Sequence, residues 1–179
     1  GALLKSSIDI AKGAQKTQAN LEQTIKSTGG AAGLTAKQVA NMAAGFAKTT
    51  TFSKGTIESG QSMLLTFTKI GKDVFPMATQ AMLDMSQKMG TDPKEAAIQL
   101  GKALNDPVKG VTALSRVGVT FDEQQKKQIA TMVKAGNVAG AQKIILAELN
   151  KEFGGQAAAA ANTYDGKMKQ LTNTMNGMK

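Results

Sequence analysis

The chain has 179 residues, enough for one domain with a sizeable core, and 41% of them are hydrophobic. It contains no Cys and no His, which excludes disulfides, thiolate chemistry and imidazole general bases. The net charge is +9, carried almost entirely by lysine, while aromatic residues make up only 4%. A core of Ala, Leu, Ile, Val and Met suits closely packed helices, so we predict an all-α fold.

The first half of the chain predicts four helices. We predict a polar N-terminal helix at residues 3–27, which the glycine-rich run at residues 29–33 terminates. Thr35 with Gln38 has the pattern of a capping box at the start of the second helix. A third helix runs from about residue 54 to residue 70. The fourth carries apolar residues at intervals of three or four, which predicts a buried stripe: Phe75, Ala78, Met82, Met85 and Met89.

Three further helix starts follow. Asp92 and Asp106 each precede a proline, and proline is well tolerated at the first helical position. Thr120 with Glu123 predicts another capped start. We assign Asp92 and the other acids at these starts to helix capping rather than to catalysis. No phosphate-binding glycine motif occurs, so we predict no enzymatic activity and no cofactor.

The last segment has a different pattern from the rest. Its apolar or small residues recur at intervals of four and three, like the a and d positions of a coiled coil: Ala157, Ala161, Tyr164, Met168, Leu171, Met175 and Met178. The segment predicts either a coiled-coil-like helix or an ordinary amphipathic helix that packs on its own domain. The candidate self-association residues are Tyr164, Met168, Leu171, Met175 and Met178.

These elements predict a compact multi-helix domain of short helices with longer terminal helices. We divide the chain into an N-terminal helix at residues 1–28, a compact domain at residues 29–155 and a C-terminal helix at residues 156–179. No window approaches about 18 consecutive apolar residues, so no segment here is predicted to span a membrane. The densest basic pairs, Lys126 with Lys127 and Lys167 with Lys169, are too small to indicate a nucleic-acid site by themselves.

Several short runs occur in an order that resembles a known family. They are GTDP at residues 90–93, LGKALNDP at residues 100–107 and LSRVGVTF at residues 114–121. With the residues around them, they resemble the helical N-terminal module of tail tape measure proteins of long-tailed phages and prophages. The resemblance is firmest over residues 60–153 and looser over residues 29–59.

The resemblance implies a structural role in the virion tail. Tape measure proteins are long helical rods in the lumen of the growing tail tube, and their length sets the number of tube rings. The expected partners are tail tube, tail tip and tail assembly chaperone proteins, with self-association as a trimer and residence in the host cytoplasm during assembly. The alternative hypothesis is a stand-alone basic helical domain that binds a polyanion, either nucleic acid or an anionic surface.

Overall fold

The computed structural model describes residue 16 and residues 19–177. Every regular element in this part of the chain is a helix, which confirms the all-α class. Helix α1 covers residues 19–27, and most of the earlier part of the predicted helix at residues 3–27 lies outside the described residues. The helices that follow are α2 (Ala36–Thr49), α3 (Lys54–Leu65), α4 (Phe75–Met89), α5 (Pro93–Asn105), α6 (Pro107–Ser115), α7 (Glu123–Lys134), α8 (Val138–Phe153), α9 (Gln156–Ala161) and α10 (Tyr164–Gly177).

The core is centred on α3, α4 and α5. Helix α3 packs extensively along α5, and α4 contacts both of them as well as α8 and α9. The predicted stripe of α4 is buried, with Phe75, Met82 and Met85 inaccessible to solvent and Met89 partly buried against the cluster. Leu21 of α1 is also fully buried in the same cluster. Met82 and Met85 of α4 are therefore core residues, and Met89 packs against the core, as the spacing predicted.

Most helix starts follow the predicted capping chemistry. The Gln38 N–H donates to Thr35 Oγ1 at 3.2 Å, and the Thr35 N–H donates to Gln38 Oε1 at 2.9 Å, which completes the capping box of α2. Asp92 accepts a hydrogen bond from the Lys94 N–H at 2.9 Å at the start of α5. Asp106 caps α6 in the same way. Capping of this kind satisfies backbone N–H groups that have no partner inside the helix.

Two helix boundaries differ from the prediction. Helix α7 is capped by Asp122 with Gln125 in a capping box, not by Thr120 with Glu123. Phe121 just before this cap is buried, and the backbone at Asp122 is extended, so the helix begins later than predicted. Helix α3 ends at Leu65 rather than near residue 70. A turn follows α3, and a side chain of α8 bonds to the Lys69 carbonyl within it, as described below.

Gly101 of α5 lies at a close contact with the turn that follows α3. A Cβ atom at this position would lie 2.1 Å from the ring of Phe67. Only glycine leaves room for that ring against α5. Gly101 thus serves the packing of α5 against this turn.

The C-terminal segment is two helices instead of the single heptad helix that the spacing suggested. Helix α9 ends at Ala161 and α10 begins at Tyr164. The chain turns at Asn162 and Thr163 because α9 docks on α4 while α10 packs near α2. Ala157 and Ala161 are each only 3% exposed, so the first two residues of the stripe are buried within this chain.

Candidate self-association surface

A tight corner sets the direction of α10. The Gly166 N–H donates to Thr163 Oγ1 at 3.0 Å, and the Lys167 N–H donates to the Thr163 carbonyl at 2.9 Å. Thr163 therefore begins the new helix as its cap. A Cβ atom at Gly166 would lie 2.0 Å from the Ala160 carbonyl oxygen, so the corner requires glycine at this position.

The inner face of α10 is polar and bonds to the end of α2. Gln170 Nε2 donates to the Lys48 carbonyl at 2.7 Å, and Asn173 Nδ2 donates to the Thr51 carbonyl at 3.4 Å. The last carbonyl groups of a helix lack partners inside it, so side-chain amides are suitable donors there. Helix α10 is held on the domain by these amides and by the buried Gly166.

The outer face of α10 is apolar. Met168 is 48% exposed and Leu171 is 54% exposed. At about 100° per residue, their mean direction is about 160° from that of Gly166, Gln170 and Asn173. Two of the predicted self-association residues therefore lie together on the side of α10 that points away from the domain.

The other predicted residues are placed only in part. Positions 164 and 175 belong to α10 and fall on the same side as Met168 by the helical repeat. Met178 lies outside the described residues. We call the outward side of α10 at Met168 and Leu171 the outer face.

Asp84 fixes the start of α9 and was not among the residues predicted from the sequence. This α4 side chain accepts hydrogen bonds from the Ala157 N–H at 3.0 Å and the Gly155 N–H at 3.4 Å. Burial raises the pKa of the Asp84 carboxyl above its ordinary range, and the hydrogen bonds from Ala157 and Gly155 partly oppose that rise. The signal available in the sequence was an acid between Leu83 and Met85, inside an apolar helix stripe.

Comparison with protein families shows which family the chain belongs to. A family model described as prophage tail length tape measure protein matches residues 9–130, which is more than half of the chain. The chain belongs to this family. Curated proteins and solved structures give no match.

The family match and the outer face occupy different parts of the chain. The matched residues 9–130 include all of α2 to α6 and the first part of α7. Helices α8, α9 and α10 follow the matched region of this tape measure family member. The match extends further towards the N-terminus than the resemblance seen in the sequence, and it ends earlier.

In this tape measure family member, Gln142 joins α8, which follows the matched residues, to two segments within them. From α8, its Nε2 donates to the Lys69 carbonyl after α3 and to the Leu104 carbonyl in the last turn of α5, both at 2.9 Å. Gln142 is fully buried. One side chain thus holds the turn after α3 and the end of α5 against α8.

Family membership gives this chain a structural role in the phage tail, since the tape measure family consists of structural phage proteins. Among the described residues, no cluster of three or more acids is placed to hold a metal ion. Glu58 is buried beside Lys54, whose Nζ lies 3.7 Å away. Burial raises the pKa of Glu58, and Lys54 opposes the rise.

No described helix is both long and apolar enough to cross a bilayer.

Proposed function

We propose that this chain is a non-enzymatic assembly module of a tail tape measure protein, helping to set tail length inside the tail tube. The observation that carries the proposal is the outer face of α10. Met168 and Leu171 are about half exposed, whereas the opposite side of the same helix is bonded to α2. Large apolar side chains grouped on one exposed face favour contact with a partner.

The partner that the outer face accepts in this proposal is another copy of the chain. The heptad spacing of the last segment is the pattern by which identical helices pair. Family analogy gives a trimer in the lumen of the tail tube, with tail tube, tail tip and assembly chaperone proteins as further partners. Assembly takes place in the host cytoplasm before the protein enters the virion tail.

Sedimentation across a range of concentrations tests the proposal. Wild-type chain should form a trimer as the concentration rises, and replacing Met168 and Leu171 together by Gln should weaken association at least about tenfold, since each loses an apolar contact. Replacing Met77 and Val108 by Gln is the matched control, because these residues are 39% and 48% exposed on other helices.

A strict monomer at high concentration, unchanged by deletion of residues 156–179, contradicts self-association. An equal loss of association in the Met77 and Val108 control would show that the outer face is not the contact. Introducing both double substitutions into the encoding phage and counting assembled tails by electron microscopy tests the assembly role. Only the outer-face variant should lose tails.

The basic surface favours a second candidate function, the binding of a polyanion. The net charge is +9, and the ion pairs among the described residues join only Lys54 to Glu58 and Lys126 to Glu123. The other lysines of the described residues are exposed and therefore available to a nucleic acid or an anionic surface. A duplex mobility shift that persists at physiological salt would support this function, since weak phosphate contacts fade as salt rises.

A further inference from the structure

The heptad pattern and the folded structure disagree over one short interval. In sequence, six stripe positions run without interruption over residues 157–175: Ala157, Ala161, Tyr164, Met168, Leu171 and Met175. In the structure, the turn at Asn162 and Thr163 separates the two alanines from the rest. Neither residue is a proline, so nothing in the covalent chain prevents a helix from continuing through the turn.

We infer that residues 157–175 have a second arrangement, in which α9 leaves Asp84, joins α10 as one helix and packs in parallel with the same segment of other copies of the chain. This inference rests on the proposed self-association and adds the conformational step that completes its surface. A continuous helix over this range is about 27 Å long and aligns the six stripe positions on one side.

The contacts that hold the folded arrangement are few. Two backbone hydrogen bonds to Asp84 and two buried alanine methyl groups hold α9, which packs on α4 and, less extensively, on α2. Alanine has the smallest apolar side chain, so its release exposes little apolar surface. Pairing of the continuous helix covers Met168 and Leu171, which are larger and already about half exposed.

The residues beside the stripe allow two copies to pair. In a parallel pair, the position before each a residue faces the position after a d residue of the partner helix. Ala160 then faces Asp165, and Lys167 faces Thr172. No like charges are opposed, so a second copy is an acceptable occupant of the stripe.

Gly166→Ala gives the sharpest test, because the folded arrangement has no room for a Cβ atom at this position, whereas a continuous helix is stabilised by one. In the folded arrangement, a Cβ atom at Gly166 lies 2.0 Å from the Ala160 carbonyl oxygen and 2.8 Å from the Ala161 Cα. In a continuous helix, alanine is favoured over glycine by a factor of about five. Gly166→Ala should therefore open the corner and tighten self-association at least about fivefold.

Gly45→Ala is the matched control. Gly45 lies within α2, and a Cβ atom there meets nothing within 4 Å. This variant should associate like the wild type. Urea unfolding of both variants establishes that the core is intact, and hydrogen exchange of the Ala157 amide reports whether α9 has left Asp84.

Tighter association of Gly166→Ala, with faster exchange at Ala157 and an unchanged Gly45→Ala control, supports the inference. The inference alone is overturned if the wild type associates, the outer-face variant does not, and Gly166→Ala associates no more tightly than the wild type. Absence of association in the wild type and in Gly166→Ala overturns both the inference and the proposed self-association.

Discussion

The helices of the core and the last two helices are fastened by different kinds of contact. Around α3, α4 and α5, large side chains such as Phe75, Met82 and Leu100 are fully buried. Helices α9 and α10 attach through two buried alanines, backbone hydrogen bonds to Asp84, and hydrogen bonds donated by Gln170 and Asn173. Apolar burial scales with area, so the first region determines whether the chain folds. We expect the second region to be able to rearrange while the first stays folded.

The largest expected effect on stability comes from truncating a side chain of the core. Phe75→Ala removes a fully buried ring and should lower the free energy of unfolding by about 3–5 kcal/mol. Met168→Ala is the matched truncation on the outer face, and it should change the free energy by no more than about 0.5 kcal/mol. Urea denaturation followed by circular dichroism measures both. Equal losses in the two variants would show that α10 is part of the core.

A smaller and local effect is expected at Asp84. Asp84→Ala leaves the Ala157 and Gly155 N–H groups without their acceptor, which costs about 1–3 kcal/mol for a buried donor. Because only α9 depends on this acceptor, the loss should appear as local opening. Hydrogen exchange should speed up by about tenfold or more in residues 157–161, since about 1.4 kcal/mol corresponds to tenfold.

The Asp84→Ala result needs two comparisons. Exchange within α3 and α5 should stay as slow as in the wild type. Asp73→Ala removes a carboxylate that is exposed to solvent and controls for the change in net charge. Faster exchange throughout the molecule would mean that Asp84 stabilises the whole fold and that α9 has no separate equilibrium.

The core could be predicted from the sequence because burial of one helix face imposes a local spacing. Phe75, Met82 and Met85 lie where the three-and-four repeat placed them. The capping box of Thr35 with Gln38 also depends on residues three apart. The cap of α7 was misplaced by two residues because Asp122 with Gln125 competes with the pattern at Thr120, and local rules alone do not rank the two.

The attachment of the last helices could not be predicted, because it depends on residues far apart in the chain. Asp84 bonds to an amide 73 residues away, and Gln142 bonds to carbonyls 73 and 38 residues away. A heptad stripe shows that a helix has an apolar side, but not which partner covers it. Neither a local repeat nor a capping pattern encodes that choice. The division of the chain at residues 28 and 155 stays a prediction.

The smallest expected effect is a change in the free energy of unfolding with pH. Its sign is opposite to that expected for a carboxylate that an ion pair stabilises. Burial raises the pKa of Asp84 in the folded chain, so the folded state takes up the proton at a higher pH than the unfolded state. The stability linked to this group is therefore present at low pH and is lost as the pH rises through the interval between the two pKa values. Asp84→Asn cannot titrate. The free energy of unfolding of the wild type, relative to this variant, should rise as the pH falls from neutral through that interval. Asp73→Asn controls for charge, and a relative free energy that falls on acidification would mean that the hydrogen bonds from Ala157 and Gly155 outweigh burial.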